Sequence, residues 1–248
     1  MKKIASPLLL VMSLAGVGSA LAQAAPAAAP EPVSTLSFNV GATSEYRYRG
    51  ISQSRLDPAL QGGADYADKG GAYVGIWGSC IKWIKDAGGN GNAEIDLYGG
   101  YKFSVGDVSY DVGFLRYEYP SNNLAVSANT NELYGAVTIG PTTVKYSQST
   151  GNLFGFANSK GSSYLDLSAT FDLGDGYSLV PHLGYQSVKN NADYSYTDYA
   201  LTLGKDMGNG LAASAALIGT DAGKAFYYTP AGKATGKAGL VLGLKYSF

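Results

Sequence analysis

The segment Leu240-Val241-Leu242-Gly243-Leu244-Lys245-Tyr246-Ser247-Phe248 alternates large apolar side chains with small or polar ones. Successive side chains on a β-strand point to opposite faces. Leu240, Leu242, Leu244, Tyr246 and Phe248 therefore form one apolar ridge, while Gly239, Val241, Gly243, Lys245 and Ser247 face the other way. A helix of 3.6 residues per turn would scatter the same residues around its cylinder. This part of the chain is committed to a strand whose two faces meet different surroundings.

The same period of two predicts eleven further strands, near Leu36 to Tyr48, Pro58 to Tyr66, Ala72 to Ser79, Ala93 to Phe103, Val108 to Tyr117, Glu132 to Ile139, Thr143 to Gln148, Ser163 to Phe171, Tyr177 to Ser187, Tyr196 to Gly204 and Leu211 to Thr220. In the first, Leu36, Phe38, Val40, Ala42, Tyr46 and Tyr48 share one face, and Ser37, Asn39, Thr43, Glu45, Arg47 and Arg49 share the other. The fifth is mixed, because Val108, Tyr110, Val112 and Phe114 share a face with Arg116 and Glu118, which implies a bulge or a rim position. Connections alternate in length. Tight ones at Ala67 to Gly71, Ser104 to Asp107, Gly140-Pro141, Asp172 to Gly176 and Lys205 to Gly210 are rich in turn-forming residues, whereas the intervening connections are mostly longer. A soluble sandwich predicts no such asymmetry. Transmembrane barrels do, and an even strand count returns both termini to one side, here the periplasmic one. The expected class is all-β: a transmembrane antiparallel up-and-down barrel of about twelve strands, closed because an unpaired edge in lipid would leave backbone groups unsatisfied at several kcal/mol each.

Lys2 and Lys3, an apolar stretch around Leu8 to Ala15, and Ala20-Leu21-Ala22 have the charged, apolar and small-residue pattern of a secretory signal over residues 1–22, with cleavage expected after Ala22. Residues 23–33, rich in Ala and Pro, read as a flexible lead-in, leaving 34–248 for the barrel. No later run reaches the ~18 apolar residues of a membrane helix. Without Lys2 and Lys3 the chain has 16 basic against 19 acidic residues, a formal charge of −3, which gives no reason to expect nucleic-acid binding. The single Cys80 cannot form an internal disulfide. Export without a helical anchor places the expected barrel in the outer membrane of a Gram-negative bacterium.

Residues expected to line the lumen and set its selectivity are Glu45, Arg47, Arg49, Asp65, Glu94, Asp96, Lys102, Asp111, Glu132, Lys145, Asp166, His182, Asp198 and Lys245. Inward charges of both signs suit polar solutes, and the acidic excess favours cations. The same side chains could instead pair across the interior and fill it. The expected function is a passive channel for small hydrophilic solutes or ions. The alternative is a non-conducting structural or surface-interaction barrel acting through its long loops. Catalysis is not expected: His182 shares the inward face with Ser178 and Gln186, but no serine stands in a recognisable nucleophile context. One His and one Cys make no transition-metal site, and no cofactor is implied. Tyr46, Tyr48, Tyr101, Tyr110, Tyr185 and Tyr246 are expected in interfacial aromatic girdles.

Two resemblances sharpen this reading. A terminal aromatic, a second aromatic two residues earlier and alternate apolar residues before them, here Leu240, Leu242, Leu244, Tyr246 and Phe248, resemble the C-terminal signal read by the assembly machinery of Gram-negative barrels. The run Asn39-Val40-Gly41-Ala42-Thr43-Ser44-Glu45-Tyr46-Arg47-Tyr48-Arg49-Gly50-Ile51-Ser52-Gln53-Ser54 resembles the opening motif of the TorF family of porin-like bacterial proteins. Pro58 to Gly62, Tyr73 to Ser79, Glu94 to Tyr101, Tyr117 to Pro120 and Asn131 to Tyr134 are similar to further pieces of that family. Arg116 stands where the family commonly has an aromatic. The resemblance implies an outer-membrane barrel that conducts small solutes, with outer-membrane lipid and the barrel-assembly machinery as partners.

Overall fold

Twelve antiparallel strands form where alternation predicts them. The computed structural model describes residues 34–223 and 226–248; the expected signal segment 1–22 and the lead-in 23–33 lie outside the described residues. The strands are β1 (Thr35–Thr43), β2 (Ala59–Ala67), β3 (Ala72–Cys80), β4 (Ala93–Val105), β5 (Val108–Glu118), β6 (Thr130–Ile139), β7 (Thr142–Ser149), β8 (Ser163–Ala169, resuming as Phe171–Gly174), β9 (Tyr177–Ser187), β10 (Tyr196–Gly208), β11 (Leu211–Thr220) and β12 (Gly239–Ser247). Each pairs with its neighbours in sequence, and β1 pairs with β12 from Asn39↔Ser247 to Thr43↔Gly243. Backbone bonds between Phe38 and Phe248, at 2.8 and 3.0 Å, finish the seam. The sheet is closed, so it presents no free edge.

All the tight turns lie at one end and all the long loops at the other. Two of the turns carry Asp175-Gly176 and Asn209-Gly210, with φ of 50° and 76° and of 53° and 81°, the paired positive values of two-residue hairpins. Outward positions are apolar and exposed all round the wall, among them Leu36, Leu60, Val74, Leu97, Val112, Leu133, Leu167, Leu201, Leu217 and Leu240. Inward positions hold the charged, hydroxyl and small side chains. Tyr101, Tyr185 and Tyr246 are exposed on the outer face, as expected of girdle residues.

The register from β4 through β5 to β6 is continuous, so Arg116 and Glu118 lie at the loop-end rim rather than on a bulge. There Arg116 bonds Glu118 at 2.8 Å and Asn131 at 3.1 Å.

One strand ends early. β1 stops at Thr43, not Tyr48, and Ser44 is held to the Leu242 carbonyl at 2.8 Å as the chain leaves the wall. The alternation beyond it belongs to a second hairpin, in which Arg47-Tyr48 pairs with Ile51-Ser52. Both of its faces are buried, so Tyr46 and Tyr48, expected on the lipid face and in a girdle, lie inside. Around them loops and the loop ends of β3 and β5 build an apolar core: Tyr46, Tyr48, Trp77, Ile81, Ile84, Leu115, Tyr117 and Tyr119, with Phe154 against them.

Candidate functional site

The hairpin between β1 and β2 lies across the loop end of the lumen, and its contacts reach strands all round the barrel. Its backbone finds partners within the hairpin and in the loop before β12, as burial demands. Tyr46 N–H donates to Ser54 Oγ at 2.9 Å, Gln53 N–H to the Tyr46 carbonyl at 2.8 Å, and Ser52 N–H to the Thr235 carbonyl at 3.0 Å. Two loop ion pairs, Arg55 with Asp86 and Lys82 with Asp57, tie its base to the short helix Trp83–Asp86. The hydrogen bond from Lys82 holds the Asp57 carboxyl below its usual range.

Side chains anchor the hairpin in three directions. Tyr46 Oη donates to Glu94 Oε1 on β4 at 2.7 Å. Tyr48 Oη meets Tyr117 Oη on β5 at 2.5 Å. Arg47 pairs with Glu45 at 2.9 Å and donates to the Lys237 carbonyl at 2.7 Å. Arg49 reaches furthest: one terminal nitrogen donates to Glu132 on β6 at 2.7 Å and the other to Gln186 on β9 at 2.6 Å. Its guanidinium also stands 4.2 Å from the ring centre of Tyr164 on β8 and 4.8 Å from that of Tyr48. A planar cation with a fixed fork of donors can satisfy a carboxylate, an amide and two ring faces together, and an ammonium cannot.

The tip is strained in a way that only this arrangement explains. Arg49 and Gly50 have φ of 46° and 78°, matching the Asp-Gly and Asn-Gly turns, but with arginine at the position where a short polar residue is usual. That conformation costs an L-residue about 1–2 kcal/mol. Gly50 is required for space as well, since a Cβ there would sit 2.4 Å from Thr220 Cγ2 and 2.7 Å from Asp198 Cβ. Gly50→Ala should therefore weaken the folded-in hairpin by about 2 kcal/mol, roughly thirtyfold in its open fraction. Faster trypsin cleavage at the buried Arg47 and Arg49 would report it.

Beneath the hairpin the wall is acidic. Glu94 and Asp96 of β4, Glu132 of β6 and Asp198 of β10 are all buried. Arg49 neutralises Glu132, but both carboxylate oxygens of Asp96 and Oε2 of Glu94 have no hydrogen-bond partner among the described residues. His182 lies between Asp166, at 2.8 Å from Nε2, and Asp198, at 3.5 Å from Nδ1, with Tyr164 Oη at 3.2 Å. Among the described residues the partners of His182 are these two carboxylates and one phenol.

Towards the turn end the charges are mixed and partly open. Tyr98 bonds Asp65, Tyr73 bonds Asp111 at 2.6 Å and also Tyr134, and Lys102 lies 4.0 Å from Asp111. Lys145 sits 4.0 Å over the Tyr134 ring, and Lys245 occupies an inward position of β12.

Glu45, Arg47 and Arg49 were assigned to the inner face of β1, and they are instead on the hairpin inside the lumen. The other expected lumen residues sit on inward strand positions. Alternation places Tyr98 and Tyr164 on the inward faces of their strands, as the structure has them, but none of Tyr73, Tyr98, Tyr117, Tyr119, Tyr134 and Tyr164 was among the expected site residues. Their inward parity was the available signal.

Over residues 26–248 the chain matches the model of a family described as a bacterial protein of unknown function (Gcw_chp). The chain belongs to that family. The Gcw_chp description does not include the TorF name. No curated protein matches the chain. Solved structures similar to this Gcw_chp protein include a KdgM porin in complex with disordered oligogalacturonate, at 10% identity and TM-score 0.55, covering 87% of this chain and 99% of that one. A NanC porin is similar at 12% identity and TM-score 0.54, covering 86% and 99%. At these identities the likeness is one of fold: the Gcw_chp barrel has the architecture of outer-membrane porins.

Proposed function

We propose that this Gcw_chp protein is an outer-membrane channel for passive diffusion of small hydrophilic solutes or ions, constricted by the hairpin between β1 and β2. One observation carries the reading: the barrel is apolar outside and lined inside by charged and hydroxyl side chains, a polar path enclosed by a wall suited to hydrocarbon. On this reading the turn end and both termini are periplasmic, residues 1–22 direct export, and the ridge ending at Phe248 recruits the assembly machinery. Carboxylates exceed cations on the inner wall, especially at the level of the hairpin, so the channel prefers cations and neutral polar solutes over anions.

A second reading has support in the same hairpin. Its anchors reach β4, β5, β6 and β9, and a lumen crossed in this way can serve as a sealed structural barrel that acts through its loops. Purified protein in planar bilayers separates the two. Stepwise currents whose reversal potential in a KCl gradient has the sign of cation preference are expected of the channel. Electrical silence of the wild type under all voltages would favour the sealed barrel.

A further inference from the structure

His182 is the only histidine in the chain, and it faces the lumen from β9 between acids on both neighbouring strands. Asp166 of β8 lies 2.8 Å from its Nε2, and Asp198 of β10 lies 3.5 Å from its Nδ1. Nδ1 and Asp198 Oδ1 are both buried, and neither has a hydrogen-bond partner among the described residues. A neutral imidazole has a single N–H. Spent on Asp166, it leaves the lone pair of Nδ1 opposite those of a carboxylate, whereas an imidazolium donates from both nitrogens and joins the two orphaned atoms. We propose that this group is a proton-operated catch for the hairpin: protonated His182 bridges Asp166 and Asp198 and holds the lumen constricted, and loss of the proton loosens it.

The surroundings tie the catch to the hairpin. Gly184 stands between Asp166 and Asp198 in the register of β8, β9 and β10, and a Cβ there would run into Tyr164 Oη and the Asp198 carboxylate. In the space it leaves, Tyr164 Oη donates to Asp198 Oδ2 at 2.8 Å and stands 3.2 Å from His182 Nε2. Arg49 of the hairpin rests 4.2 Å from the centre of the same Tyr164 ring and donates to Gln186, on the strand that carries His182. Gly50 packs on Asp198 with no room for a Cβ between them.

Asp198 is 1% exposed, so when His182 is neutral its charge can be hydrated only if the hairpin tip moves off it. The His182 side chain keeps 11% of its surface exposed, through which it exchanges a proton with the lumen. Of the other charges around it, Lys145 of β7 is opposite Asp166 in register and Arg49 faces Tyr164; Ser168 and Ala200, directly opposite His182, and Ala216 and Ile218 of β11 carry none. Histidine is the side chain whose charge ordinarily changes between roughly pH 5 and 8, so the transition is sought there.

The test uses the full mature chain in detergent, its one histidine labelled with nitrogen-15. As the pH is lowered through that range, the ring resonances should pass from a single neutral tautomer to imidazolium. Trypsin cleavage at Arg47 and Arg49, divided at each pH by cleavage of a free arginyl peptide, should fall several-fold in step with them. His182→Gln should hold one cleavage ratio throughout, and Asp198→Asn, with no charge left to hydrate, should stay protected at the alkaline end. Heat-modifiable electrophoretic mobility shows that each variant is a folded barrel. The proposal is overturned if the ring keeps one protonation state across the range, if it titrates while the cleavage ratio stays flat, or if His182→Gln keeps the wild-type response. Bilayer currents form a separate arm that rests on the channel reading: they should drop several-fold towards acid pH in the wild type and not in His182→Gln. Electrical silence with a pH-dependent cleavage ratio would count against the channel and for the catch.

Discussion

Arg49→Ala should convert a narrow or silent barrel into an open one, raising single-channel conductance several-fold. Arg49 joins the hairpin tip to β6 and β9, through bonds of 2.7 and 2.6 Å, and among the described residues it is the ion-pair partner of Glu132. Removing one member of a buried ion pair costs about 3–5 kcal/mol, because the remaining charge has lost its partner and not regained water. The structure can recover that free energy only by hydrating Glu132, and hydration requires the tip to move away. The strained φ of 46° at Arg49 works in the same direction, against the anchors that Tyr46, Tyr48 and Arg47 still provide. Arg49→Lys is the informative companion. It keeps the charge but not the fork, so it should restore part of the block. A conductance unchanged in Arg49→Ala, with Arg47 still protected from trypsin, would show that the tyrosine anchors hold the hairpin by themselves.

The latch is also where local patterning stopped being informative. β9 and β11 begin and end at the residues that alternation marks, Tyr177 and Ser187, and Leu211 and Thr220, because the signals that set them are local: a period of two, then Asp175-Gly176 or Asn209-Gly210. Alternation also resumes after Ser44 and runs on through Arg49, but it reports only that the backbone is extended, not which sheet the strand joins. That choice depends on Glu132, 83 residues away, and Gln186, 137 residues away. Tyrosine deepens the ambiguity, since its ring suits lipid and its hydroxyl suits a carboxylate. Tyr46 and Tyr101 have the same parity relative to their neighbours, yet Tyr46 leaves the wall with the hairpin, packs on Trp77 and bonds Glu94, while Tyr101 stays on the outer face. The motif that carried the family resemblance, Asn39 to Ser54, spans the end of β1 and the hairpin. Its residues make sense as anchors, and they made none as a lipid-facing strand.

Neutralising the acidic wall is the second large effect expected. Asp96 is 1% exposed with both oxygens unpartnered, and Glu94 on the same face of β4 keeps one oxygen unpartnered beside it. A carboxylate that ionises in a dry, low-dielectric setting acts strongly on any ion that passes, and its charge is costly to hold there. The two consequences give Asp96→Asn a double signature. The amide keeps the shape and adds donors near the idle Glu94 oxygen, so the barrel should gain about 1–4 kcal/mol against urea, while cation preference in a KCl gradient falls. Glu94→Gln in addition should bring the reversal potential close to zero. Asp111→Asn serves as the reference, because its carboxylate already accepts from Tyr73 and faces Lys102 at 4.0 Å, and it should lose stability and change selectivity least. A residue whose removal stabilises the fold while degrading discrimination is retained for the discrimination. If Asp96→Asn leaves both selectivity and stability where they were, the carboxyl carries no charge in the working channel, and the acidic wall is only filling.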